Sequence, residues 1–529
     1  MAKTIKKGKE VSLESVLWDC RVALRGVGTT EKNRDAVISL VFLKFAGDKF
    51  EKRKEEIKNE HGDIPMVCEK PAFYNAKNVF YIKDTARWSY IVENAGANDI
   101  AIIIDQAIAD IEDMNPSLKG ALSLNLFANL GADKSKIKNL INNINQIDEE
   151  VFHEEDLIGR VYEYFLRLYA ASGTKEDGEF YTPSCVVKLI SELIEPYSGT
   201  VYDPCCGSGG MFVQSIKFIE AHHGNKKNIS IIGQESQAET WRLCKMNLAI
   251  RGISHNLGEK NASTFTEDLH KDKKVDFIMA NPPFNLKNWR NEDELTNDAR
   301  WRGYALPRVS NANYAWILHM ISKLDVSHGI AGFLLANGAL NEQDDLEIRR
   351  KLIENDKVEA IIVLPRNMFY TTDISVTLWI LNMNKKATIS NGRKLRDRTH
   401  EVLFMDLRTW DNNIDEIMID KNKKKKKVIL NDMQIKNIKE YYNNWQSEEA
   451  SRYKDVPELC KSVTLEEIKA NSFSLAPSKY IDFIDHDLDI DYEKEMIRIQ
   501  SEMKDIMRLE KETQKLLINA FRGIGYEID

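Results

Sequence analysis

The sequence predicts an α/β protein built on a doubly wound, mainly parallel sheet, with a helical domain before it and a helical tail after it. Two observations carry that expectation. From about residue 180 to 385, short β-rich apolar runs alternate with helical patterns, the order that lays parallel strands side by side under covering helices. Before about residue 170, apolar residues recur at three- and four-residue spacing with few alternations, the signature of helix.

Taken in order, Glu31–Lys58 and Val151–Ser172 are predicted helices, with Leu157, Val161, Tyr164, Phe165 and Leu168 sharing one face of the second. Ala171–Gly178 reads as a connection. The predicted strands are Thr200–Asp203, Ile229–Gly233, Val275–Ala280, Ile330–Ala336, Val358–Leu364 and Ser375–Leu381. Ser184–Ile194, Ala238–Ile250, Ala315–Leu324 and Gln343–Asn355 are the helices between them. A ligand of such a sheet sits at the carboxyl ends of its strands. Lys421–Lys427 has six lysines in seven positions, and a solvated loop outweighs a nucleic-acid patch. Near the end, Tyr492, Met496, Ile499, Met503, Ile506 and Leu517 form an apolar seam interrupted at Glu510 and Thr513. A partner-packing or coiled-coil helix and an internal core helix both fit that seam. The expected division is a helical domain over 1–172, an α/β domain over 173–480 with its core at about 178–385, and a helical segment for partner contact over 481–529.

Composition narrows the class. The 529 residues are 29% charged with a net charge of −8. A chain gripping nucleic acid by itself usually carries a basic excess, because neutralising phosphates supplies much of the affinity. The balance argues against solitary nucleic-acid binding and leaves room for a partner that brings basic surface. No run approaches the ~18 apolar residues of a membrane span, and the basic start MAKTIKKGKE lacks the apolar region of a secretory signal. Seven cysteines, an odd number thinly spread, suit reduced thiols in the cytoplasm rather than a disulfide framework. Cys205 and Cys206 lack metal-ligand spacing, so no metal is expected.

The strongest local signal is Val201-Tyr-Asp-Pro-Cys-Cys-Gly-Ser-Gly-Gly210, which leaves a strand and enters an apolar helix. Its glycines permit a tight turn and close approach of a ligand to the backbone. No Lys-Ser/Thr follows, which excludes a phosphate-binding ATPase loop, and the pattern is not GxGxxG. Asp203 at the strand end suits a ligand carrying an ammonium group. Glu235, at the tip of the next strand, can accept both hydroxyls of a ribose.

Asn281-Pro282-Pro283-Phe284 ends a later strand. In isolation it would be a strand-terminating turn with a core phenylalanine. Beside a nucleotide site it reads as chemistry. The Asn281 side-chain oxygen and the Pro282 carbonyl can each accept one hydrogen of a planar amino group such as that of adenine. That holds the nitrogen nearer to tetrahedral, with its lone pair aimed at an electrophilic methyl, so positioning does the catalysis without a metal or a strong base. The prolines fix the backbone. Phe284 offers a face on which a base extruded from a duplex can stack.

Together these motifs resemble the amino-methyltransferases of DNA. Gly178-Glu-Phe-Tyr-Thr-Pro183 looks like that group's additional cofactor motif, and the motif order is similar to the gamma-type arrangement. More closely, the chain resembles the modification (M) subunit of type I restriction–modification systems over nearly its whole length. Leu364-Pro-Arg-Asn-Met-Phe369 and Leu378-Trp-Ile-Leu-Asn382 are further matches. The resemblance implies a Rossmann-like methyltransferase sheet and transfer of a methyl group from S-adenosyl-L-methionine to adenine N6, within a duplex site chosen by a partner. It implies that Glu179, Phe180, Tyr181, Thr182, Pro183 and Ser184 lie along the methionine and adenine parts of the cofactor. Asp203, Cys206, Gly207, Ser208 and Gly209 would cradle its amino-acid portion, and Glu235 would bind its ribose. Asn281, Pro282 and Phe284 would be catalytic. The implied partners are double-stranded DNA, a specificity (S) subunit, a motor–nuclease (R) subunit and a second copy of M, with no membrane.

Three other readings stand beside this one. They are a solitary adenine methyltransferase with its own recognition domain in residues 385–480, a protein glutamine methyltransferase, and a non-catalytic assembly subunit. Asn261–Asp268 takes the place of a polar loop near the adenine ring, with no single ligand chosen within it. Asn285–Asn311, with Trp289, Arg290, Arg300, Trp301 and Arg302, suits equally a mobile loop near flipped DNA and an ordinary surface insertion.

Overall fold

The apolar periodicity of the first part of the chain becomes a helical bundle. Its longer helices are α1 (Leu13–Ala23), α2 (Thr30–His61), α3 (Ile100–Met114) and α4 (Lys134–Ile144). The Thr29 hydroxyl caps α2 by accepting from Lys32 N, and Asp133 caps α4 by accepting from Lys136 N, which satisfies first-turn donors. The computed structural model describes residues 13–147, 161, 164–165, 182–369, 373–420, 423–484 and 491–523. Of the predicted helix Val151–Ser172, only Val161, Tyr164 and Phe165 fall within them; these are helical and pack into the bundle core.

The following α/β region contributes β1 (Gly199–Asp203), β2 (Ile229–Gly233), β3 (His255–Asn256), β4 (Phe277–Ala280), β5 (Ile330–Ala336), β6 (Val358–Val363) and β7 (Val376–Asn382). Beyond the predicted core come β8 (Thr388–Ser390), β9 (Arg393–Leu395), β10 (Glu401–Asp406), β11 (Ile414–Asp420), β12 (Lys423–Val428) and β13 (Cys460–Thr464). The main sheet runs β13-β10-β6-β7-β5-β4-β1-β2-β3. β7 is antiparallel to both neighbours and β13 to β10, while the remaining pairs are parallel.

Both faces are covered, so alternate residues of a strand enter opposite cores. Val201, Ile231, Met279, Leu334, Ile362 and Leu378 pack on one side with α5 (Ser184–Ile194), α6 (Gly210–Ala221) and α10 (Asp432–Gln446). Tyr202, Ile232, Ile278, Phe333, Ile361 and Trp379 pack on the other with α8 (Asn313–Lys323) and α9 (Leu346–Glu354). The bundle core continues into Leu243, Met246, Ala249 and Ile250 of α7 (Ala238–Ile250), so the helical region is seated on a helix that also covers the sheet. A buried charge near the start of β6 is compensated: Glu359, fully buried, accepts from Arg398 Nε at 3.2 Å, from Gln446 Nε2 at 2.9 Å and from Asn382.

Residues 385–480 extend this sheet through β10 and β13, and α10 packs on α5 with Lys188–Asp432 and Lys439–Glu192 ion pairs of 2.8 and 2.7 Å. The stretch is therefore no separate recognition domain. Of the lysine run 421–427, expected as a loop, residues 423–427 fall in β12, antiparallel to β11, and 421–422 lie outside the described residues. The reason lies in the opposing strand, where Asp415 faces Lys427 and Glu416 faces Lys426. Lys427 is buried against Asp373 at 2.9 Å.

Residues Met1–Ile481 form one compact unit and Asp482–Asp529 a second. The second holds α11 (Tyr492–Gly523), none of whose side chains is buried. Its seam of Tyr492, Met496, Ile499, Met503, Ile506 and Leu517 is exposed, which removes the internal core reading. Among the described residues no helix is long and apolar enough to cross a membrane.

Gly332 in β5 lets α5 approach the sheet: an added Cβ would lie 2.7 Å from Ile190 Cγ2 and 3.2 Å from Ile194 Cγ2. Gly332→Ala is expected to destabilise the chain by about 1–3 kcal/mol, the usual cost of overpacking, read as a lower urea midpoint with little change in slope.

Candidate active site

The parallel register brings the ends of β1, β2 and β4 side by side, with Asp203 opposite Gly233 and Tyr202 opposite Ile278. The ladder continues past the strands, because Gln234 N donates to Asp203 O at 3.1 Å and Cys206 N donates to Gln234 O at 3.0 Å. This delivers Glu235 to the glycine turn. Its Oε2 accepts from Gly207 N at 3.0 Å, and its Oε1 accepts from Gln237 N at 2.9 Å and from Ser236 Oγ at 3.3 Å. Burial pushes the Glu235 carboxyl up, and these donors oppose the shift. An ionised carboxylate has about four lone-pair sites, so Glu235 keeps acceptor capacity for a further hydroxyl.

Asp203 is buried, and burial pushes its carboxyl up to about 7, aided by the Glu235 charge and opposed by Cys205 N, which donates to Oδ1 at 3.0 Å. Gly207 and Gly209 adopt φ of 53° and 85°, the region that favours glycine. A Cβ on Gly207 would project into open space, whereas one on Gly209 would lie 2.9 Å from Cys244 Sγ. The Ser208 carbonyl accepts from Asn247 Nδ2 at 2.9 Å, and Cys206 is buried beneath the turn.

Asn281 directly follows β4, and its backbone lies beside the Cys205 sulfur, so the tetrapeptide adjoins the glycine turn. Its Nδ2 donates to Thr182 Oγ1 at 2.8 Å. Its Oδ1 is sealed from water and has no hydrogen-bond partner among the described residues. A buried acceptor left unpaired costs about 1–3 kcal/mol, which an incoming N–H donor would recover as it displaces the groups covering the oxygen. Pro282 is buried, and Phe284 is half-buried with its ring centroid 6.4 Å from that of Phe369. Pro183 and Ser184 start α5, while Glu179, Phe180 and Tyr181 lie outside the described residues.

Other residues that hold the site escaped the sequence reading. Gln234 Nε2 donates to Ala262 O and Glu267 O at 3.1 and 2.7 Å, Ala262 N donates to Glu235 O at 2.9 Å, and Asn261 Nδ2 donates to Ser236 O at 2.7 Å. Thr264 Oγ1 donates to Pro204 O at 2.5 Å. The polar loop 261–268 is thereby laced to the ends of β1 and β2. Local sequence holds no signal for these partners, which lie far apart along the chain.

The stretch 285–311 is a packed insertion and not an open basic loop. Trp289, Arg290 and Trp301 are buried, with Trp289 4.5 Å from the Phe265 ring. Arg290 donates to the carbonyls of Asn291, Glu292, Glu294 and Pro307. Arg300 pairs with Asp298 at 2.7 Å and donates to Thr264 O and Phe265 O. Arg290 thus holds the insertion's own backbone and Arg300 ties the insertion to residues 264 and 265, while Arg302 is exposed. Asn285, directly after the tetrapeptide, is clamped by Asn313: Asn285 N donates to Asn313 Oδ1 at 3.0 Å and Asn313 Nδ2 donates back to Asn285 Oδ1 at 2.8 Å.

Comparison with known proteins agrees with this geometry. A family model described as N-6 DNA Methylase matches residues 153–488, and one described as HsdM N-terminal domain matches residues 13–147. The type I restriction enzyme HindI methylase subunit of Haemophilus influenzae is 38% identical over 467 residues, covering 84% of this chain and 99% of that relative. The MjaIX methylase subunit of Methanocaldococcus jannaschii is 30% identical over 531 residues, covering 97% of this chain and 91% of that relative. The solved type I restriction-modification system methyltransferase subunit of Streptococcus thermophilus shares the fold with a TM-score of 0.68 at 22% identity, covering 89% of this chain and 99% of that one.

Fold and site define an S-adenosyl-L-methionine-dependent methyltransferase. Within that class the chain belongs to the N-6 DNA methylase family, among the methylase subunits of type I restriction enzymes. It is an adenine-specific DNA methyltransferase. The residues present fit the cofactor, since space lies open above Gly207 and two buried carboxylates stand at neighbouring strand ends.

If Asp203 receives the cofactor ammonium, only its ionised form does so, and below about 7 that form becomes scarce in the empty protein. Cofactor affinity is therefore expected to weaken by about tenfold per pH unit as pH falls from 6.5 to 5.5. Titration calorimetry across that range should show the slope in the wild type and a shallower profile in Asp203→Asn, where Glu235 is the remaining site carboxylate pushed up by burial.

Proposed function

We propose that Asn281, Pro282 and Phe284 carry the methyl transfer, and the unpaired buried oxygen of Asn281 is the observation that supports this most directly. S-adenosyl-L-methionine supplies an electrophilic methyl carried on sulfur. Asn281 Oδ1 and the Pro282 carbonyl accept the two hydrogens of the adenine amino group, which turns the nitrogen lone pair toward that methyl. The same acceptors would stabilise the positive charge that grows on the nitrogen as its bond to the methyl forms and the methyl–sulfur bond breaks to leave a neutral thioether, the surplus amino proton then passing to water. Phe284 presents its ring to the extruded base. Asp203, Cys206, Gly207, Ser208 and Gly209 hold the amino-acid part of the cofactor, Glu235 holds the ribose, and Glu179 to Ser184 line the remainder.

The chain acts on double-stranded DNA within a complex in the cytoplasm, with a specificity subunit that reads the sequence, a second copy of itself and a motor–nuclease subunit. The negative net charge and the exposed seam of α11 support a need for partners. Two strands of residues 385–480 belong to the main sheet, which speaks against a separate recognition domain in that stretch.

Asn281→Ala is expected to abolish labelled-methyl transfer to DNA while cofactor affinity stays within about twofold; normal turnover would refute the assignment. Gly207→Val forces a β-branched side chain into a left-handed φ and into the open space above the turn. Cofactor affinity should fall by at least about tenfold, and unchanged affinity would remove the turn from the cofactor site.

A further inference from the structure

We propose that Thr182 is a positioning residue that keeps the acceptor end of the Asn281 amide facing the reacting nitrogen, an inference that rests on the catalytic reading of Asn281. An asparagine amide presents an oxygen acceptor at one end and two N–H donors at the other. The adenine amino group is itself a donor, so the reversed amide would set N–H against N–H. The productive orientation directs Nδ2 away from the base, and there it needs an acceptor of its own, because a bare N–H in a closed site is costly. Thr182 Oγ1 is that acceptor, 2.8 Å from Nδ2. With this bond made, Oδ1 is the unpaired end, closed to water and without a hydrogen-bond partner among the described residues.

Thr182 belongs to the segment expected to line the cofactor, directly before Pro183 at the start of α5. Accepting from Asn281 occupies lone-pair capacity on its oxygen and leaves the hydroxyl proton available to donate, so the cofactor role and the positioning role are separable by experiment. The bond also joins residues 182 and 281 across the site, linking the segment before the first strand to the catalytic strand end.

The test is single-turnover methylation of a duplex site at saturating S-adenosyl-L-methionine, using complex purified after co-expression with the reading frame encoded beside this one. Thr182→Val, which keeps the shape and removes the acceptor, should lower the rate by about ten- to hundredfold. Circular dichroism and the thermal midpoint verify that the variant is folded, cofactor affinity measured separately fixes the saturating concentration, and Thr182→Ala replaces it if the valine variant does not fold. Thr182→Ser, which restores the hydroxyl, should recover most of the rate. An unchanged rate at saturating cofactor, or a fall that serine does not rescue, overturns the proposal. Asn281→Ala in the same assay separates the two levels: if it is inactive while Thr182→Val is unimpaired, only the positioning role falls, whereas an active Asn281→Ala takes the catalytic reading with it.

Discussion

The hydrogen bond from Gly207 N to the buried Glu235 carboxylate is the joint on which the site depends. It ties the turn after β1 to the tip of β2, and it exists because the parallel ladder runs on through Gln234 after the strands have ended. A slip of one residue in that pairing would point Glu235 to the other face of the sheet, since side chains alternate along an extended chain. Asp203, Glu235 and Asn281 occupy one edge of the molecule for this reason. The register of three strands, set by two covered faces, places them there.

The site is held in an unrelaxed electrostatic state. Two carboxylates stand buried at adjacent strand ends, and each is pushed up by burial. An amide oxygen nearby lacks any partner among the described residues. Two buried charges remote from the site are paired instead: Glu359 near the start of β6 has three donors, and Lys385 is buried against Asp356 at 2.6 Å. Binding of a cationic, hydroxyl-bearing donor and of an amino group would satisfy these three groups.

Two stretches show how charge composition misleads when the neighbours are unknown. The arginines and tryptophans of 285–311 have the mixture of a nucleic-acid surface, yet they tether an insertion to the loop after β3. The lysines of 423–427 look solvated, yet they form a strand because an acidic strand lies opposite. The lysines are compensated from the neighbouring strand, and the arginines by backbone carbonyls and by Asp298 within the insertion.

Local pattern by itself determined a good deal. The strands Ile229–Gly233 and Ile330–Ala336 and the helices Ser184–Ile194 and Ala238–Ile250 have the bounds their periodicity predicts, because apolar spacing is a property of neighbouring residues. The glycine turn and the Asn281 tetrapeptide were legible for the same reason, as contiguous residues with one backbone demand. Tertiary structure alone decided the place of β10 and β13 in the main sheet, the lacing of 261–268, and the pairing of Thr182 with Asn281. Those are contacts between residues remote along the chain, and a hydrogen bond leaves no trace in sequence until folding brings donor and acceptor within about 3 Å.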